Sequence, residues 1–164
     1  MARPRDSQRT EVYLWEAHIE RQIPRLATKV DDLLRVRRYC EATFREFGID
    51  TDYPKVHFRS TLGRARKGGA IQGQYKPGER GLFFKLPISV ATILHECVHA
   101  IDHRMAGTMR VDAHGPTFMG LLLRLYQIAV PDDWAIVYAD ALSRGLSIDH
   151  SLIRPQAIAA RDEI

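Results

Sequence analysis

The stretch that decides the reading is Ser89–His103, SVATILHECVHAIDH, and within it His95-Glu96-Cys97-Val98-His99. On a helix, residues four apart lie one turn apart on the same face. His95 and His99 can therefore aim their ring nitrogens at one point, as a tetrahedral zinc site requires. Glu96 falls beside that point, better placed to meet a water on the metal than to bind the metal itself. Zinc lowers the pKa of a bound water to roughly 7, and a neighbouring carboxylate can take the proton. This is the mechanical reason that His-Glu-x-x-His recurs in metalloproteases. The bland alternative is three polar residues sharing a helix, since a five-residue pattern with two free positions is short. Two features weigh against it: the helix is strongly patterned and follows a strand directly, and a third ligand is at hand.

The helix around the motif begins at Ser89, a good N-cap residue. Leu94, Val98, Ile101 and Met105 form its expected buried stripe, and Gly107 its stop. Cys97, between the two histidines, reads as a small buried hydrophobe rather than a ligand or nucleophile.

A zinc site needs a third protein ligand. His103 continues the four-residue spacing but lies two turns from His95, about 12 Å along the axis at 1.5 Å per residue. Three such side chains do not converge on one ion, so His103 reads as an outer-shell or surface group. The spacing after His99 lacks the glycine and histidine of the metzincin pattern. His114 is the better candidate: a loop from Gly107 can fold back over the helix and present it, and Gly115-Pro116 then open the next helix. Asp112 is the second choice.

Upstream, residues 54–86 are rich in Gly and in alternating residues. KVHFRS, GAIQGQY and GLFFKLP read as three strands, with GRARKGG and KPGERG as the turns between them. The first helix is expected from about Ser7, with Val12, Trp15, Ile19 and Ile23 on one face and Pro24 as its end. A second is expected from about Val30 to Phe47, striped by Leu33, Val36, Cys40, Phe44 and Phe47, with Gly48 as its stop. Downstream, Pro116–Val130 carries Phe118, Leu121, Leu122 and Leu125 on one face. DDWAIVYADALSRG reads as a last helix, with acids in its first turn and Gly145 as its stop.

The bulk properties fit one soluble domain. The chain has 164 residues, 45% hydrophobic and 27% charged, enough to bury a core without staples. No apolar run reaches membrane-spanning length, and the opening MARPRDSQRTEVY has no signal-peptide core, so the expected location is the cytoplasm. The two cysteines, Cys40 and Cys97, form no CxxC pair and suit a reducing compartment. The net charge of +4 is uneven: residues 55–85 hold eight cations and one acid, Glu79. Such an excess attracts phosphates or acidic partners, so this segment is a candidate for association with DNA, against the bland reading of a solvated loop-rich face.

HECVH, followed by fourteen residues and then HGPTF, resembles the SprT-like (Spartan-type) zinc metallopeptidases over about residues 80–120, and more loosely back to residue 54. The resemblance implies one zinc ion per chain, His95, His99 and His114 as its ligands, Glu96 as catalytic base, and Phe118 packed under the site. RDSQRTEVYLWE is also similar to a family of short actinobacterial metallohydrolases that share the His-Glu-x-x-His. Cys40 and Cys97 being the only cysteines, the chain departs from full SprT-like proteins in lacking their four-cysteine zinc ribbon.

The fold expected is α+β and zincin-like: a small three-stranded sheet packed against the HExxH helix, with several other helices. Residues 1–145 form one domain, made of a helical part (1–50), strands (54–86), the active-site helix (89–106) and C-terminal helices (116–145), with 146–164 a partly ordered tail. The GLFFKLP strand is expected to be the edge on which an extended peptide pairs. Oxyanion donors by chemistry alone are Arg110, His103 and Tyr138; Asp102 and Asp112 are the candidate acceptors that orient the histidines. The expected function is zinc-dependent hydrolysis of protein or peptide substrates. The alternative is a DNA-associated or structural zinc protein without peptidase activity.

Overall fold

Helices and a small sheet alternate along the chain in the computed structural model, which describes residues 6, 8–62, 71–107 and 112–154. The order is α1 (Arg9–Gln22), α2 (Pro24–Ala27), β1 (Lys29–Val30), α3 (Leu33–Glu46), β2 (Lys55–Phe58), β3 (Gly73–Lys76), β4 (Gly81–Phe84), β5 (Ile88–Ser89), α4 (Val90–Ala106), α5 (Pro116–Ala129) and α6 (Trp134–Ser143). The fold is mixed α+β. Its residues group into two compact units, one taking those up to Leu26 and from Ala106 onward, the other spanning Ala27–Met105.

The first unit is helical. Val12, Trp15 and Ile19 are fully buried on α1, as their spacing demands, and Ile23 leaves the helix just before Pro24. Trp15 stacks on Tyr126 of α5 at 5.6 Å between ring centroids, and α6 packs on both α5 and α1. All of Phe118, Leu121, Leu122 and Leu125 are buried. Gly120 is needed here: a Cβ at this position would meet the Asp149 carbonyl oxygen at 2.4 Å. That close approach seats the turn at His150–Leu152 on α5, with Leu146 and Ile153 buried. The tail is thus ordered through Arg154, and residues 155–164 lie outside the described residues.

The second unit contains both sheets. The helix expected from Val30 begins three residues later. Val30 instead pairs with Ile88, and Lys29 with Ser89, in a two-stranded antiparallel ribbon. Asp32 then caps α3 by accepting from the Leu34 amide at 2.8 Å. A capping aspartate fixes a helix start more firmly than an apolar stripe does. The three expected strands are present as β2, β3 and β4, but in the order β2-β4-β3, with β2 parallel and β3 antiparallel to β4. GLFFKLP is therefore the central strand, not the edge. The glycine-rich turn GRARKGG lies outside the described residues; KPGERG forms a tight turn at Pro77–Glu79, with Arg80 left-handed at φ 45°.

Helix α4 starts where Ser89 Oγ accepts from the Thr92 amide at 3.2 Å and stops before Gly107, whose φ of 60° suits glycine. Leu94, Val98 and Ile101 are buried as expected, but Met105 is 55% exposed. The stripe ends one turn early because Met105 lies in the last turn of the helix. No helix among the described residues is long and apolar enough to cross a membrane.

Candidate metal centre

Helix α4 brings His95 and His99 together. Their Nε2 atoms lie 3.0 Å apart, and the rings meet edge to face at 77°. Two nitrogens on one tetrahedral zinc at about 2.0–2.1 Å sit roughly 3.3 Å from each other. The observed pair is close to that separation. His95 is buried and His99 half-buried.

Glu96 is held by the sheet. The Tyr75 amide on β3 donates to Glu96 Oε2 at 2.7 Å. That amide is available because of the register. Gln72 accepts from the Lys85 amide, and Gly73 and Tyr75 stand opposite Phe84 and Leu82, so their own N–H groups turn away from β4. Gly73 lets β3 come close: a Cβ there would lie 2.8 Å from Glu96 Cγ and 3.1 Å from Thr92 Cγ2. A glycine inside a strand pattern signals such an approach, so Gly73 was the readable sign of this contact.

His114 is presented by a turn before α5. Asp112 shapes that turn, its carbonyl accepting from the Gly115 amide at 3.0 Å and its carboxylate from the His114 amide at 3.4 Å. His114 is buried, with Phe118 one turn later on α5 at 4.8 Å between centroids and Tyr13 of α1 at 5.2 Å. Its Nδ1 lies 3.0 Å from both carboxylate oxygens of Asp6. That pairing puts the proton on Nδ1 and makes Nε2 the donor atom. On His114 this role falls to Asp6, an acid outside the expected pair. Asp6 stands ahead of the first helix, inside the RDSQRTEVYLWE stretch, where no helical or strand period singles it out.

His95, His99 and His114 each offer one ring nitrogen, these atoms lie within 4.8 Å of one another, and the three can hold a metal ion. Three imidazole nitrogens, one on a ring whose tautomer a carboxylate sets, are donors that zinc accepts. Asp112 is not in the set. Cys97 is fully buried in α4, and burial, with the Cys40 thiol beside it, pushes its thiol well above the ordinary value. It is a core residue and not a nucleophile.

Of the expected oxyanion donors, Arg110 lies outside the described residues. Tyr138 meets His150 Nδ1 at 3.0 Å, and His103 Nδ1 lies 3.3 Å from the Tyr75 hydroxyl. Asp102 is buried on α4. The chain matches no family model, no curated protein sequence and no solved structure.

Proposed function

We propose that this protein is a zinc-dependent peptidase of zincin-like, SprT-like type. The observation that carries the reading is a three-histidine donor set with Glu96 on the same helix turn, its carboxylate held by a strand-edge amide. Zinc bound there would polarise a substrate carbonyl and acidify a water. Glu96 takes the proton of the attacking water and passes it to the leaving amine. Tyr75 keeps the carboxylate in place through its backbone. Asp6 orients His114. The outer edge of β3, replacing the GLFFKLP strand in this role, offers an extended peptide its backbone groups other than the Tyr75 amide, which Glu96 occupies. Cytoplasmic residence belongs to the same proposal and is supported by two buried free thiols.

Association with DNA through residues 55–85 is a second proposed property. The observation behind it is the sheet register, which sets Lys55, His57, Lys76 and Phe83 on one face, with Arg59 4.3 Å over the Phe83 ring. A cationic face of this kind suits a phosphate backbone, and binding that fails to weaken with salt would rule it out.

Glu96→Gln tests the peptidase directly. The variant is expected to keep its zinc and to lose hydrolysis of labelled casein. Full turnover by the variant overturns the proposal. A zinc-loaded wild type inert toward casein and mixed peptides hands the site to the alternative, a zinc protein without peptidase activity.

A further inference from the structure

A cleft of about 330 Å³ opens between α3 and β2, away from the motif residues in sequence. Its walls are Arg37, Cys40 and Glu41 from α3 and the run Pro54–His57 leading into and along β2. The volume is that of a small-ligand site. Its chemistry is uneven. Arg37 and Lys55 bring two cations, both exposed at the rim, and His57 a third group able to donate. Among the described residues, neither Arg37 nor Lys55 forms an ion pair within 4 Å. The one acid of the lining, Glu41, lies 3.9 Å from Arg45, so its charge is shared with a cation outside the cleft.

The neighbouring cations behave differently. Arg59 and Lys76 lie over the Phe83 ring at 4.3 and 5.0 Å and are both engaged by Glu79, at 3.5 and 2.9 Å. One acid thus offsets part of their charge, whereas Arg37 and Lys55 have no acid within ion-pair distance among the described residues. His57 is fixed by stacking flat on Phe83, at 4.8 Å and 13°. Cys40, Pro54 and Val56 give the cleft apolar walls behind this cationic rim. The guanidinium fork takes carboxylate or phosphate, and phosphate, with three acceptor oxygens and nearly twice the charge, suits a lining with two cations better.

We propose that this cleft binds a phosphate group carried on an apolar or ring-bearing body. The phosphate lies on Arg37 and Lys55 and the body against Pro54 and Val56. The phosphate comes either from a small phosphomonoester or from a nucleic-acid strand, and the two are separable.

The experiment titrates the full, zinc-loaded chain with phenyl phosphate at constant ionic strength and follows backbone amide resonances. Saturable shifts are expected at Cys40, Val56 and His57. Arg37→Gln and Lys55→Gln should each weaken binding at least five-fold, and their circular dichroism should match wild type because both side chains are exposed. A thymidine decamer lacking a terminal phosphate names the source. If it displaces phenyl phosphate from the cleft, the phosphate is a strand's. If it does not, the ligand is a small phosphomonoester. Absence of saturable shifts with phenyl phosphate, or shifts indifferent to both substitutions, overturns the proposal. So do shifts confined to Arg59, Lys76 and Phe83.

Discussion

His114 and Asp6 are joined across 108 residues of sequence, with both carboxylate oxygens 3.0 Å from Nδ1. This contact fixes the ring's tautomer and its direction, and it leads to the first prediction. Asp6→Asn keeps the fold but lowers zinc affinity by about 10–100-fold, the usual cost of losing such a partner. Competition with a chromophoric chelator measures it. An unchanged affinity would show that Asp6 does not orient the ligand.

Gly73 gives the second. Its Cβ would come within 2.8 Å of Glu96 Cγ and 3.3 Å of the Phe84 ring. Gly73→Ala must shift the Glu96 side chain or the strand, at a cost of about 1–3 kcal/mol. Thermal melting should show the loss, while zinc content stays at the wild-type level because the atoms nearest the new Cβ belong to Glu96, Thr92 and Phe84 and not to a metal-binding histidine. Any peptidase activity should fall further than stability does.

The cap of α4 gives the third. Ser89 Oγ meets both the Thr92 amide and the Thr92 hydroxyl, the latter at 2.8 Å. Ser89→Ala should destabilise the protein by about 1 kcal/mol. Ser89→Asp, which can accept the same amide hydrogen bond and favours a helix N-terminus, should recover most of it in a denaturant titration.

Tyr126 gives a pH prediction. Burial, followed by the charge of Glu16, pushes its phenol well above the ordinary value, and its hydroxyl donates to Glu16 Oε1 at 3.2 Å. The unfolded chain ionises this group near pH 10. Above that pH the folded state holds a proton the unfolded state has released, so stability is full below about pH 10 and falls as pH rises further. Tyr126→Phe lacks this slope. It should cost about 1 kcal/mol at pH 8, and the gap to wild type should narrow from pH 9 to 11 in urea melts.

The sequence was most legible where the signal is local. The turns of α1, α4 and α5 follow their apolar spacing, and Ser89 and Gly107 mark the ends of α4 as expected. His95 and His99 needed only the geometry of one helix turn. What was hidden depends on partners distant in the chain. The ribbon of Lys29–Val30 with Ile88–Ser89 is two residues long, too short for any period to show. The order β2-β4-β3 follows from a parallel pairing between Lys55–Phe58 and Gly81–Phe84, which alternation within each strand does not encode. Asp6 lies in the RDSQRTEVYLWE stretch, but no helical or strand period singles it out. Its role exists only once His114 stands beside it.

The central claim is a metal ion held by His95, His99 and His114, and zinc per chain tests it most directly. Elemental mass spectrometry after dialysis should find one zinc in the wild type and clear loss in His114→Ala, with the variant still folded by circular dichroism. A wild type that holds no metal even after zinc is added back would contradict the account, and so would a His114→Ala variant that keeps its zinc.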